Sequence, residues 1–115
     1  MKIEHRVLMH IRTLQVLSAL RDAPRRFNDL ERTVKAPNPV AMSKRLKQMQ
    51  RDGLIQRNVV RLGPPAVISY SLTDDGRALL EAATPMLKWV DDNADAVVAR
   101  RELAKVKAAV AADVA

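Results

Sequence analysis

The groups in this 115-residue chain best equipped to act on another molecule are its cations. Residues 1–62 carry 14 Lys and Arg against 5 Asp and Glu, a net of +9; residues 63–115 carry 6 against 8, a net of −2. Ten of these bases lie between positions 25 and 61: Arg25, Arg26, Arg32, Lys35, Lys44, Arg45, Lys47, Arg51, Arg57 and Arg61. The acids in that stretch are Asp29, Glu31 and Asp52. Such a cluster suits a polyanion, because each neutralised phosphate of a nucleic acid releases condensed counterions. A solvated basic surface with no partner is the plainer alternative. An anionic membrane surface fits less well. It would want a helix with Lys/Arg on one face and Trp or Phe on the other, and the single Trp89 lies in the less basic half.

Other chemistries lack their residues. Cysteine is absent, which excludes disulfides, thiolate metal sites and thiol redox chemistry. His5 and His10 are five apart, not the i, i+4 spacing of a helical metal pair, so they read as surface or subunit-interface residues. Ser43, Ser69 and Ser71 have no His/Asp partner in a recognisable arrangement for nucleophilic catalysis. Gly63 and Gly76 are isolated and form no phosphate loop. Phe27, Tyr70 and Trp89 are too few for a base-stacking platform on single strands. No catalytic residue, metal or cofactor is assigned, and the chain does not read as an enzyme. No apolar run approaches the ~18 residues of a membrane span. Glu4, Arg6 and Arg12 interrupt the apolar positions of the N-terminus, unlike a signal peptide. The expected compartment is the cytoplasm, with the nucleoid.

The elements that must position these cations follow from periodicity. Val7, Leu8, Ile11, Leu14, Leu17 and Leu20 recur at helical spacing and predict one amphipathic helix over 4–21, closed by Asp22-Ala23-Pro24. Phe27, Leu30 and Val34 predict a short helix. Asn38 and Pro39 suit the cap and first position of a longer one, whose buried stripe is Met42, Leu46 and Met49. These two helices form a helix-turn-helix over 27–52. Gly53 stands where a left-handed helix terminus belongs. Residues 54–72 then read as a hairpin around Gly63-Pro64-Pro65, with Arg57 and Arg61 on one side of its first strand. Thr73-Asp74-Asp75-Gly76 opens a helical region over 73–112, in which Pro85 is a point of kinking or restart.

The fold class is therefore mainly α with a small β-hairpin, a winged helix-turn-helix in one domain over 1–115. Its second helix-turn-helix element would enter the DNA major groove. A helical wheel sets Asn38, Val40, Ala41, Ser43, Lys44 and Lys47 mostly opposite the methionine stripe. Asn38 and Ser43 can hydrogen-bond base edges or phosphates; Val40 and Ala41 can meet thymine methyls; Lys44 and Lys47 suit phosphates or guanine. Arg57 and Arg61 in the wing suit phosphate or the minor groove, and one of Arg25 and Arg26 suits backbone phosphate. Arg45 and Arg51 are expected to pair internally with Asp29, Glu31 or Asp52. Trp89 reads as buried in a core or an interface.

The same residues carry a family likeness. Arg26-Phe27-Asn28-Asp29-Leu30 resembles the start of the helix-turn-helix in HxlR-type winged-helix regulators. So does Met42-Ser43-Lys44-Arg45-Leu46-Lys47-Gln48-Met49, continuing through Gly53-Leu54-Ile55-Gln56-Arg57. Pro64-Pro65, Tyr70-Ser71-Leu72-Thr73 and Gly76-Arg77 are similar to that family's wing and its exit, and Trp89 sits where its members often have a tryptophan. The likeness spans about residues 8–92. It implies a prokaryotic, dimeric transcriptional regulator paired through its terminal helices. Many members have a cysteine near the N-terminus, and some sense oxidants through it; this chain has none, so thiol sensing is not carried over. Pro37 and Pro39 also replace the Gly and Ser more usual before the recognition helix.

The expected function is a homodimeric regulator of double-stranded DNA on a pseudo-palindromic operator. Pairing 4–21 with 77–110 of a second copy would cover apolar helix faces that one small chain has little core to bury. The sequence leaves room for a small-molecule effector of unidentified chemistry. The alternative is a winged-helix protein-interaction or RNA-binding module without duplex preference. A small basic enzyme comes last, since no residues support it.

Overall fold

The computed structural model describes residues 2–114. Its elements in order are α1 (Ile3–Leu8), α2 (Ile11–Ala19), α3 (Phe27–Val34), α4 (Pro39–Arg51), β1 (Ile55–Arg61), β2 (Val67–Leu72) and α5 (Asp74–Val114). The chain comprises two compact units, one running to Ala83 and one beginning at Thr84.

The first unit is built on a shared apolar core. Leu14, Val16, Leu17 and Leu20 from the α2 region meet Leu30 and Val34 of α3 and Met42, Leu46 and Met49 of α4, all nearly fully buried. Leu54, Ile55 and Leu80 complete it. Each such side chain contributes roughly 1.5–3 kcal/mol on burial.

The single helix expected over 4–21 is instead two. His10 adopts an extended backbone (φ −63°, ψ 137°) and caps α2, its Nδ1 accepting the Arg12 N–H at 3.0 Å. This local bond offers the backbone an alternative to continuing α1. The flanking Met9 and Ile11 are about half exposed, so no core contact opposes the break. The side chain of Val7, part of the expected apolar stripe, lies outside the described residues.

The helix-turn-helix is set by its punctuation. Lys35 ends α3 in the left-handed region (φ 55°) and donates its N–H to the Glu31 carbonyl at 3.0 Å. Asn38 then caps α4, its Oδ1 accepting from the Ala41 N–H at 2.8 Å, with Pro39 in the first turn. The Asn38 cap and the Pro39 start match the sequence reading. Asn38→Ala should lower stability by about 0.5–2 kcal/mol. A thermal melt reads this directly, and an unchanged midpoint would reject the cap as a contributor. Gly53 is left-handed (φ 75°), as expected, and turns the chain from α4 into β1.

The hairpin is antiparallel and pairs Ile55 with Leu72, Arg57 with Tyr70 and Val59 with Ile68. Its register shifts between Val59 and Arg61, so Arg61 pairs with Val67 and Val60 is the extra residue of a bulge. Paired residues share a face. Arg61 therefore sits on the face of Asn58, Ser69 and Ser71, not beside Arg57 as strict alternation predicted. On that face Asn58 Nδ2 donates to Ser71 Oγ at 3.0 Å.

Two tertiary contacts brace the wing. Arg25 and Tyr70 exchange backbone hydrogen bonds of 3.0 and 2.7 Å, joining the approach to α3 to the outer side of β2. Thr73 Oγ1 donates to the Gly53 carbonyl and accepts from the Gly76 N–H at 3.1 Å, which caps α5 against the end of α4. Gly76 is buried there.

The second unit is helical from Thr84 onward. Pro85 lies inside α5 and the helix runs through it, neither ended nor restarted. Of the two places expected for Trp89, a core or an interface, the single chain excludes the core, since Trp89 is 59% exposed there. Val90, Val98, Leu103, Val106 and Val110 are also exposed apolar side chains. Lys88–Asp92 (2.7 Å) and Lys105–Glu102 (3.3 Å) are ion pairs within the helix.

Candidate nucleic-acid interface

α4 is anchored by Met42, Leu46 and Met49, each 1% exposed, so its opposite face is turned to solvent. On that face Val40, Lys44 and Lys47 are exposed, while Ala41 and Ser43 are half-buried. Asn38 is exposed as well; its Oδ1 accepts the Ala41 N–H, and its Nδ2 is a donor on the outward side. A shallow depression along α4 is lined by Ala41, Lys44, Arg45 and Gln48.

The two arginines before α3 differ in their commitments. Arg25 is tied down by its backbone bridge to Tyr70, and its Nε lies 3.4 Å from the Ala19 carbonyl. Arg26 is exposed and stands at the N-cap of α3 with no side-chain cap bond. The first-turn N–H groups of α3 thus lack a side-chain acceptor from the cap, and a helix N-terminus favours anions. A cleft of about 400 Å³ separates this N-terminus from the wing tip, with Arg26, Phe27 and Asn28 on one side and Arg61, Pro65 and Ala66 on the other. Arg61 Nη2 donates to the Pro65 carbonyl at 3.2 Å, which steadies it over the cleft. Arg57 is exposed on the other face of β1.

The expected internal pairs of Arg45 and Arg51 are not formed. Asp29 pairs with Arg32 instead, and Asp52 accepts from Gln48 Nε2 at 2.9 Å. Arg45 Nη1 lies 3.4 Å from Thr13 Oγ1, because its position on α4 faces α2 and not the α3 carboxylates. Among the described residues no ion pair engages Arg26, Lys44, Lys47, Arg51, Arg57 or Arg61. These cations are therefore available to an external anion.

The pKa of His10 is displaced: partial burial lowers it, and the nearby Arg45 and Arg12 charges lower it further. Among the described residues no cluster of His, Asp and Glu could hold a metal ion. No described helix is long and apolar enough to cross a membrane.

Comparison with known proteins bears on the family and the fold. The family model described as HxlR-like helix-turn-helix matches residues 8–98. The HTH-type transcriptional regulator YtfH of Escherichia coli K12 is 30% identical over 99 residues, covering 84% of this chain and 78% of that one. The solved structure of the transcriptional regulator ytfH from Salmonella typhimurium superposes with a TM-score of 0.75 at 27% identity, covering 84% of this chain and 86% of that one. The redox regulator HypR in its reduced form shares the fold, with a TM-score of 0.74 at 24% identity over 84% of this chain and 94% of that one.

Proposed function

The chain belongs to the HxlR-like helix-turn-helix family, and from that premise we propose that it is a transcriptional regulator that binds duplex DNA as a homodimer on a pseudo-palindromic operator. The relatives are bacterial HTH-type transcriptional regulators and not enzymes, which supports DNA-binding regulation and a prokaryotic setting. The observation that carries the reading is the solvent face of α4: Val40, Lys44 and Lys47 exposed opposite a fully buried methionine–leucine stripe, with no ion pair engaging either lysine.

In this reading α4 enters the major groove. Lys44 and Lys47 take phosphates or guanine edges, Val40 and Ala41 meet thymine methyls, and Ser43 and the Asn38 amide donate to bases or phosphates. Arg26 and the open N-terminus of α3 hold a backbone phosphate, a role for which it is better placed than Arg25. Arg57 and Arg61 reach the duplex from opposite faces of the wing strand. Residues 26–72 form the DNA-contacting part of one domain, and the terminal helices pair the subunits. Two half-sites then lie roughly 34–36 Å apart. The exposed Trp89, Leu103, Val106 and Val110 support the pairing, since a second copy would remove their apolar surface from water.

Two measurements test this. If a dimer neutralises ~6–10 phosphates, its affinity for labelled duplex should fall roughly 10³–10⁵-fold between about 50 and 200 mM salt. Salt-insensitive binding, or equal preference for RNA and heparin in competition, would sink the DNA reading and favour a general polyanion or RNA module. Sedimentation at micromolar concentration should give twice the 12.8 kDa chain mass; a monomer there would refute the pairing. Selection of bound sequences from a random duplex pool should yield a two-fold symmetric site.

A further inference from the structure

Two half-buried guanidinium groups in the first unit are held, among the described residues, by neutral acceptors. Arg12 Nη1 donates to the Val34 carbonyl at 2.8 Å and to Gln15 Oε1 at 3.2 Å. Arg45 Nη1 lies 3.4 Å from Thr13 Oγ1. Both arginines are half-buried, and among the described residues neither is in an ion pair with a carboxylate. Charges withdrawn from water without a counter-charge are unfavourable, and an anion beside them offsets that cost.

Both line one cleft of about 200 Å³, between the start of α2 and the turn from α3 to α4. His10 stands at its edge. Its Nδ1 accepts the Arg12 N–H, so the neutral ring carries its proton on Nε2 as a further donor. The Arg45 and Arg12 charges both act on this imidazole, which marks the cleft as electropositive. The remaining wall is apolar, with Val34, Pro37 and Met42 among its lining residues.

Size and chemistry together narrow the occupant. A cavity of about 150 Å³ already takes benzene, whereas sites for drug-sized ligands begin near 300 Å³. Inorganic anions would use the donors but not the apolar wall. We propose that this cleft binds a small organic carboxylate, its charged end between Arg12, Arg45 and His10 and an apolar body of about one ring against Val34, Pro37 and Met42.

The cleft joins α2 to α4, since α4 supplies Met42 and Arg45. An occupant that prefers one placement of α4 would alter DNA affinity, and DNA would alter the occupant's affinity by the same factor. That consequence rests on α4 being the DNA-facing helix; the binding itself does not.

Calorimetric titration of the full, DNA-free chain with benzoate tests the binding. Benzoate should saturate. Benzamide, which has the ring without the charge, and inorganic phosphate, which has charge without the ring, should each bind about tenfold or more weakly. Arg45→Gln should weaken benzoate to a similar degree while keeping the wild-type melting midpoint; if it unfolds, the wild-type comparison of the three ligands still decides. No saturation by benzoate, equal binding of benzamide or of phosphate, or a folded Arg45→Gln chain with undiminished affinity would each overturn the proposal. Because the assay contains no DNA, its failure leaves the DNA-binding reading standing, and loss of DNA binding leaves this one standing.

Discussion

Gly76→Ala should lower the stability of the first unit by about 2–4 kcal/mol, seen as a fall of roughly 10–20 °C in the melting midpoint. A Cβ at this position would stand 1.9 Å from the Leu54 carbonyl oxygen and 2.9 Å from its carbonyl carbon. Those are backbone atoms at the junction of α4 and β1, so no side chain can swing aside. The junction is also hydrogen-bonded: Thr73 N–H donates to the Leu54 carbonyl at 3.2 Å, and Thr73 Oγ1 donates to the Gly53 carbonyl. Moving Leu54 away from a new methyl would disturb both bonds and the buried Ile55 next to it. Gly53→Ala is the informative comparison. It has φ 75° but open space around a Cβ, so its cost should be only the ~1–2 kcal/mol of a left-handed L-residue. A Gly76→Ala chain melting within about 3 °C of wild type would mean that α5 does not pack this closely on the wing.

Replacing Lys44 and Lys47 together by Ala should weaken specific duplex binding about 100-fold or more, with the melting midpoint almost unchanged. The two side chains are exposed, and such surface changes usually stay within about 0.5 kcal/mol. In a dimer each substitution acts twice, at roughly 1–3 kcal/mol per base contact. Salt dependence then separates the two chemistries. A lysine on a phosphate reduces the salt slope by about one when removed and weakens all sequences alike, whereas one on a guanine edge relaxes preference at that base. Unchanged affinity in the double variant would reject α4 as the reading helix.

The two experiments probe different links in the same chain of causes. Gly76 governs whether the wing and α5 can be seated on the helix-turn-helix at all. Lys44 and Lys47 govern what the seated unit can hold. The intermediate link is the bulge at Val60, which sends Arg57 and Arg61 to opposite faces of β1. A wing built by strict alternation would present both arginines to one groove. The observed one offers Arg61, steadied by the Pro65 carbonyl, to the cleft beside the start of α3.

Much of this molecule was legible from the order of its residues because the relevant forces act over three or four positions. Asn38 caps α4 through the Ala41 N–H, Thr73 caps α5 through the Gly76 N–H, and Gly53 takes the left-handed turn, all within short windows. The Met42, Leu46 and Met49 stripe follows from helical period, and so does the outward face carrying Val40, Lys44 and Lys47. The basic excess of residues 25–61 is likewise a property of the sequence alone.

What only the tertiary structure decided involves partners far apart in the chain. Arg45 reaches Thr13, Arg25 bridges Tyr70, and Gly76 admits the Leu54 carbonyl. No local pattern encodes these meetings, because they depend on how buried faces settle against one another. The break at His10 arises the same way: an unbroken apolar period ran through it, but no core was there to favour helix over a side-chain cap. The sequence by itself determined that a positive surface would exist and which helix would bear it. Packing decided which cations are tied to neutral neighbours, which remain free for an anion, and which way each one faces.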